Sequence, residues 1–149
     1  MDPLTSDLMD AVTRLSRRLR TVFDQQVTAH GLTYPRARAL LRLAQKQNIT
    51  QTELANELNV EQATMGRLLD RMEENHLVER RSDPQDRRVK LLVLTPRGEE
   101  QAALVRSIAD RMRAQVFQKI PQKEVHVALA LFKRLSANLA KLEDLDVVA

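Results

Sequence analysis

The stretch TQTELANELNVEQATMGRLLDRMEENHLVERRSDPQDRRVKLLVLT, residues 50–95, changes its periodicity twice, and those changes decide the fold. Thr50 and Glu53 stand at capping-box spacing, where each side chain satisfies a free backbone N–H of the other residue's end. Leu54, Ala55 and Leu58 then share one face of a short helix. Asn59, a residue that tolerates turn or left-handed backbone at low cost, breaks it. From Gln62 a further helix puts Met65, Leu68, Leu69 and Met72 on one side, with Ala63, Gly66, Arg67 and Asp70 opposite. After Asn75 the period shortens. Val78–Arg81 reads as a short strand and Val89–Leu94 as a β-branched, Leu-rich one. Ser82, Asp83, Pro84, Gln85 and Asp86, followed by Arg87 and Arg88, read as a hairpin loop with its charge at the tip.

Upstream, Leu8, Val12, Leu15, Leu19 and Val22 recur at helical spacing among Arg14, Arg17, Arg18 and Arg20, which predicts a long amphipathic helix ending near His30 and Gly31. Thr33 reads as the cap of a second helix, with Pro35 in its first turn, Ala37, Leu40, Leu41 and Ala44 as its stripe, and its end near Lys46. Downstream, Thr95 caps a helix with Pro96 at its first position and a stripe of Leu104, Ile108, Met112 and Val116. Pro121 opens the last helix, where Val125, Ala128, Phe132, Leu135, Leu139 and Leu142 keep a heptad-like spacing. The expectation is a mainly α chain with a small wing of two or three β-strands: a winged helix-turn-helix over 33–95, flanked by dimerisation helices over 4–31 and 96–145, all one domain over 1–149. A long helix with an apolar seam must bury it, so the end helices point to a homodimer.

Composition agrees. With three Gly and five Pro in 149 residues, the chain lacks the turns that a sandwich or barrel of many short strands needs. Hydrophobics make up 43% but aromatics 3%, so the core comes from aliphatic side chains. The 24 Lys and Arg exceed the 20 acids for a net charge of +4, a bias towards polyanionic partners. The absence of Cys removes disulfides and thiolate metal sites. Met1–Asp10 has no uninterrupted apolar run and no segment approaches a membrane span, so the expectation is a soluble, cytoplasmic protein without a membrane partner.

A helix whose outward face is polar, followed by a basic hairpin, has the parts needed to read duplex DNA. The major groove admits a helix whose first turns reach base edges, and its start favours phosphate. Ala63 and Gly66 are small enough for close approach, while Gln62, Thr64 and Arg67 supply donors and acceptors. A narrow wing carrying Arg87 and Arg88 suits the minor groove. Asp86, which phosphate would repel, is best used accepting a hydrogen bond from Arg88 and holding it extended.

These residues carry a resemblance. Leu32-Thr33, Thr50 to Ala55, Arg67 to Glu73, Asp83 to Arg88 and Leu92-Val93-Leu94-Thr95 resemble the MarR family, and within it the SlyA type, with the Asp-Arg-Arg wing the most specific piece. The resemblance implies a homodimer whose two lobes read successive major grooves of a palindromic operator, usually repressing. It implies DNA contact at Thr64 and Arg67, and a wing Arg88 paired with Asp86. It also implies a small aromatic carboxylate between dimer helices and lobe, for which Arg17, Arg20, His30, Tyr34 and Arg38 are the candidate residues. Two positions depart from the family's pattern: His76 stands where Gly is usual before the wing, and Ala37 where Trp is often found. Asn and His are among the non-Gly residues enriched in left-handed backbone, so the turn at Asn75-His76 can survive.

Plainer readings stand beside these. Arg67 also suits an i,i+3 pair with Asp70, Arg17 and Arg20 a solvated face, and Tyr34 packing. His30, His76 and His126 have no metal-ligand spacing, so no metal and no cofactor is expected. Glu73-Glu74 and Glu99-Glu100 are helix neighbours that do not face each other, the serines lack a nucleophile setting, and no Gly-rich phosphate loop exists, which leaves no enzyme site. The remaining alternative is a winged helix that binds protein, which would favour an apolar outward face and a neutral wing tip.

Overall fold

Asp2 accepts a hydrogen bond from the Leu4 N–H at 3.0 Å and starts a 27-residue helix, α1 (Pro3–Ala29). The computed structural model describes residues 2–144. In chain order it continues with α2 (Tyr34–Gln45), β1 (Ile49–Thr50), α3 (Gln51–Leu58), α4 (Gln62–Glu74), β2 (Val78–Asp83), β3 (Asp86–Leu94), α5 (Pro96–Val116) and α6 (Gln122–Glu143). The strands form one antiparallel sheet ordered β1-β3-β2, so β3 is central. The expected mainly α winged helix-turn-helix is the observed architecture. The end helices are α1, α5 and α6, and position 145 of the expected span lies outside the described residues.

The backbone falls into two compact units, Met1–Met112 and Arg113–Ala149. The core of the first is aliphatic: Leu40 and Leu43 from α2, Leu54 from α3, Met65, Leu69 and Met72 from α4, and Leu92 from β3 are fully buried. Each such side chain contributes about 1.5–3 kcal/mol relative to exposure. On α5 the buried positions are Gly98, Ala102, Val105 and Ile108, whereas Leu104 and Val116 of the expected stripe are exposed. The helix carries two overlapping apolar faces, and it is the one with smaller side chains that enters the core. The second unit holds the end of α5 and α6, and α6 has no buried residue.

Caps define the boundaries as expected. Thr33 accepts from the Arg36 N–H, and Thr50 and Glu53 complete both halves of the capping box. Asn59 ends α3 at φ 54° and Gly31 follows α1 at φ 79°. His76, at φ 60°, occupies the left-handed region itself, so the chain keeps a turn that glycine would make without strain. Thr95 locks that turn: its hydroxyl donates to the His76 carbonyl and accepts from the Gly98 N–H, and its own N–H bonds the Leu77 carbonyl at 3.0 Å.

The wing differs from the expected loop. Ser82 and Asp83 belong to β2, and Asp86, Arg87 and Arg88 to β3, leaving Pro84 and Gln85 as the whole turn. The Asp83 carboxylate accepts from the Gln85 N–H at 2.9 Å and closes it tightly. β1 pairs Ile49 with Leu92 and Thr50 with Leu91; two residues are too short for any alternation to announce them. Among the described residues, no helix is long and apolar enough to cross a membrane, and no three metal-ligating side chains cluster.

Candidate nucleic-acid interface

α4 enters the candidate surface because its two sides differ so sharply. Met65, Leu69 and Met72 are buried, while Gln62, Ala63, Thr64 and Arg67 are exposed, so burial of one stripe aims the other outward. Its N-cap is Glu61, which makes no side-chain cap bond, so the first N–H groups of the helix meet no capping side chain. Arg67 Nη2 lies 3.3 Å from Thr64 Oγ1 rather than on Asp70, which bonds Arg80 instead. The i,i+3 reading of Arg67 therefore gives way to an arginine laid along the outward face beside Thr64.

Gly66 also lies against α3: a Cβ there would stand 3.2 Å from Nε2, the movable end of the Gln51 side chain. Gln51 also reaches the Gln62 carbonyl at 3.3 Å and ties the start of α4 to α3. Gly66 is half-buried, whereas Ala63 stands on the exposed face as expected.

On the wing, Asp86 Oδ1 accepts from the Arg88 backbone N–H at 3.1 Å and from its Nε at 3.2 Å. One carboxylate thus fixes both ends of Arg88, whose side chain is 92% exposed. Arg87 and Arg88 belong to β3 and lie between the paired positions Asp86 and Lys90, where the register shifts, so they sit on the strand just past the turn rather than in the loop as expected. Lys90 bonds Ser82 Oγ at 2.8 Å and Arg81 pairs with Glu79. Arg80, which sequence reasoning passed over as a plain strand residue, reaches Asp70, Glu73 and the Gly66 carbonyl of α4. A signal existed: at period 2 from buried Val78, an arginine falls on the inward side and needs partners.

A second feature lies between α1, α2, the α3–α4 turn and α5. An open cavity of about 570 Å3 is lined by Ser16, Arg17, Leu19, Arg20, Phe23, Tyr34, Arg38, Leu58, Asn59 and Met112. Tyr34 is its platform: the Arg20 guanidinium sits 4.8 Å and that of Arg38 5.6 Å from the ring centroid, and Phe23 meets the ring edge-on at 6.0 Å. Of the five candidate ligand residues, four are brought together here. His30 is not; its Nδ1 lies 2.9 Å from the Gln26 carbonyl at the end of α1. Ala37 is fully buried outside the lining, so the aromatic wall comes from Tyr34 and Phe23 instead. A smaller chamber of about 140 Å3 shares Arg20, Tyr34, Arg38 and Leu58, and adds Thr64 and Leu68 of α4.

A model of the MarR family matches residues 32–90. A crystal structure of the transcriptional regulator PA3341 is 34% identical, covering 90% of this chain and 98% of that one at a TM-score of 0.82. Two further structures share the fold at lower identity. A Staphylococcus aureus MarR in complex with salicylate and kanamycin is 21% identical, with 94% and 95% of the chains covered and a TM-score of 0.80. A MarR-family regulator from Listeria monocytogenes complexed with 26mer DNA is 20% identical, with 89% of each chain covered and a TM-score of 0.77. The regulator SlyA shares the fold as well. With one regulator matched at that identity over nearly its whole length and the family's pattern running through the lobe, the chain belongs to the MarR family of transcription regulators.

Proposed function

We propose that the protein binds double-stranded DNA as a homodimer and regulates transcription by occupying a palindromic operator, in most settings as a repressor, in the cytoplasm and without a catalytic step. The observation that carries the reading is the pairing of two surfaces: the exposed face of α4 from Gln62 to Arg67, and a wing whose Arg88 is held extended by Asp86. In this reading Gln62, Ala63, Thr64 and Arg67 enter the major groove, with Gly66 setting the seat of the helix. Arg88 enters the minor groove braced by Asp86, and Arg87 meets the backbone. The Listeria structure with 26mer DNA supports the use of this fold on DNA.

The dimer rests on apolar surface that needs cover. Leu15 and Leu19 of α1 and Phe132 and Leu139 of α6 remain exposed beside other aliphatic residues of both helices. A second copy is the economical cover, and a two-fold dimer presents two α4 helices to half-sites about one helical turn apart. A small aromatic carboxylate in the Tyr34 cavity is the proposed effector. Tyr34 would stack on its ring while Arg17, Arg20 and Arg38 pair with its carboxylate, and release follows from the reach of the adjoining chamber to Thr64. The staphylococcal complex with salicylate supports that chemistry.

A salt titration of duplex binding tests the reading. Affinity is expected to fall steeply and linearly on a log–log plot as counterions are released. Affinity that is absent, or indifferent to salt, overturns it in favour of a protein-binding winged helix.

A further inference from the structure

The basic side chains of the wing are not used alike. Arg88 is almost fully exposed, but Arg80, on the same hairpin, retains 21% of its side-chain exposure and points back at α4. Its Nη2 lies 2.9 Å from Asp70 Oδ1 and 3.5 Å from the Gly66 carbonyl, and its Nη1 3.3 Å from Glu73 Oε1. Its backbone N–H donates to the other Glu73 oxygen at 3.3 Å. One guanidinium therefore grips α4 at three points spanning two turns, a use for which its planar fork suits it and a lysine would not. The grip closes on the residue before Arg67, while Gln51 of α3 donates to the Gln62 carbonyl at the start of the same helix.

We propose that Arg80 is the positioning residue that locks the wing to α4, so that major-groove and minor-groove contacts are offered to DNA in one fixed register. The inference rests on the DNA-binding reading above and adds to it a source of discrimination that touches no base. Without the tie, α4 and the hairpin remain joined by the His76 turn and the sheet, but each is free to settle on the duplex separately. Phosphate contacts survive such slack, since they carry no sequence information; base contacts do not.

The test uses duplexes selected by the wild-type chain from a random pool, alongside an unrelated duplex, with Arg80→Met and Asp70→Asn compared across salt. For Arg80→Met the ratio of specific to non-specific affinity is expected to fall roughly tenfold, the loss of about one base-pair's worth of discrimination, with the salt slope unchanged. If Arg80 instead touched phosphate, the loss would be uniform and the slope would drop by about 1, which overturns the proposal. Asp70→Asn sharpens the sign. Removing an acid near DNA should strengthen binding by charge alone, whereas the tie predicts a smaller specific-to-non-specific ratio; an unchanged or larger ratio overturns the proposal. Asp70 is largely exposed, so this variant decides even where Arg80→Met does not fold. Hydrogen exchange without DNA gives a separate arm: in Arg80→Met the amides of α4 and of β2–β3 should both exchange faster while those of α2 do not, and unchanged exchange in α4 overturns the tie. Should wild type select no duplex, the DNA reading fails while the exchange arm still reports on the tie.

Discussion

Arg87 and Arg88 are neighbours with different physical situations. Arg88 is clamped at both its N–H and its Nε by Asp86, which lowers the entropy lost when it enters a groove. Arg87, exposed beside it, has no such brace. Arg88→Ala should therefore weaken specific binding by about 1–3 kcal/mol and relax sequence preference, while the dimer stays intact. Arg87→Ala should weaken all duplexes alike and lower the salt slope by about 1. Gel-shift or anisotropy titrations on specific and random duplexes at several salt concentrations separate the two. A monomeric Arg88→Ala protein, or identical behaviour of the two variants, would count against this division of labour. Asp86 was legible in advance because its bond spans two residues; the register shift beneath Arg87 and Arg88 was not, since it depends on where the hairpin turns.

At the scale of elements, the contact between the start of α5 and the entry to the wing admits no side chain. A Cβ on Gly98 would lie 2.0 Å from the Leu77 carbonyl oxygen, an overlap with backbone that cannot swing aside. Gly98→Ala should cost about 3 kcal/mol and lower the thermal midpoint by roughly 6–12 °C, measured by calorimetry. A neutral effect would mean that α5 starts elsewhere. The α2–α3 pair is fastened differently, by Arg42 on Glu57 with Lys46 3.6 Å away. The hydrogen bond from Arg42 holds the Glu57 carboxyl below its ordinary value against an opposing desolvation effect, and the same bond raises Arg42. A depressed carboxyl contributes stability that is fully present above the ordinary glutamate range and is lost as pH falls through the depressed value. Wild type should thus exceed Glu57→Gln in urea midpoint at pH 7, and the gap should close in acid; a gap that persists at low pH would place its source elsewhere.

For the whole molecule, the open question is what covers the apolar faces of α1 and α6. Leu8 and Leu15 are 36% and 52% exposed on α1, away from the Tyr34 cavity lining. On the proposed homodimer, changing both to Glu should shift the sedimenting species from a dimer towards the 17.1 kDa chain and weaken duplex binding, because two half-sites would then be met one at a time. The lobe's own core, buried among α2, α3, α4 and the sheet, should leave the helical signal largely in place. A dimer that survives both charges would move the interface off α1.

What the sequence by itself determined is much of what interactions across four residues or fewer set, though not the two-residue turn at Pro84-Gln85. The Thr33 and Thr50 caps, the left-handed breaks at Gly31, Asn59 and His76, the buried stripe of α4 and the Asp86–Arg88 pair all follow from local geometry, which residue type and spacing specify. Tertiary structure decided the rest. Arg80 finds Asp70 and Glu73 only once β2 lies against α4, and Gly98 matters only because Leu77 passes over it. The nearness of Gln51 to Gly66 likewise depends on how α3 packs on α4. Tyr34, for which packing stood beside a ligand role, became the platform for Arg20 and Arg38 because α1 crosses α2 at that point. Residues far apart in the chain have no spacing to be read; their meeting is fixed by how helices and sheet bury their apolar faces.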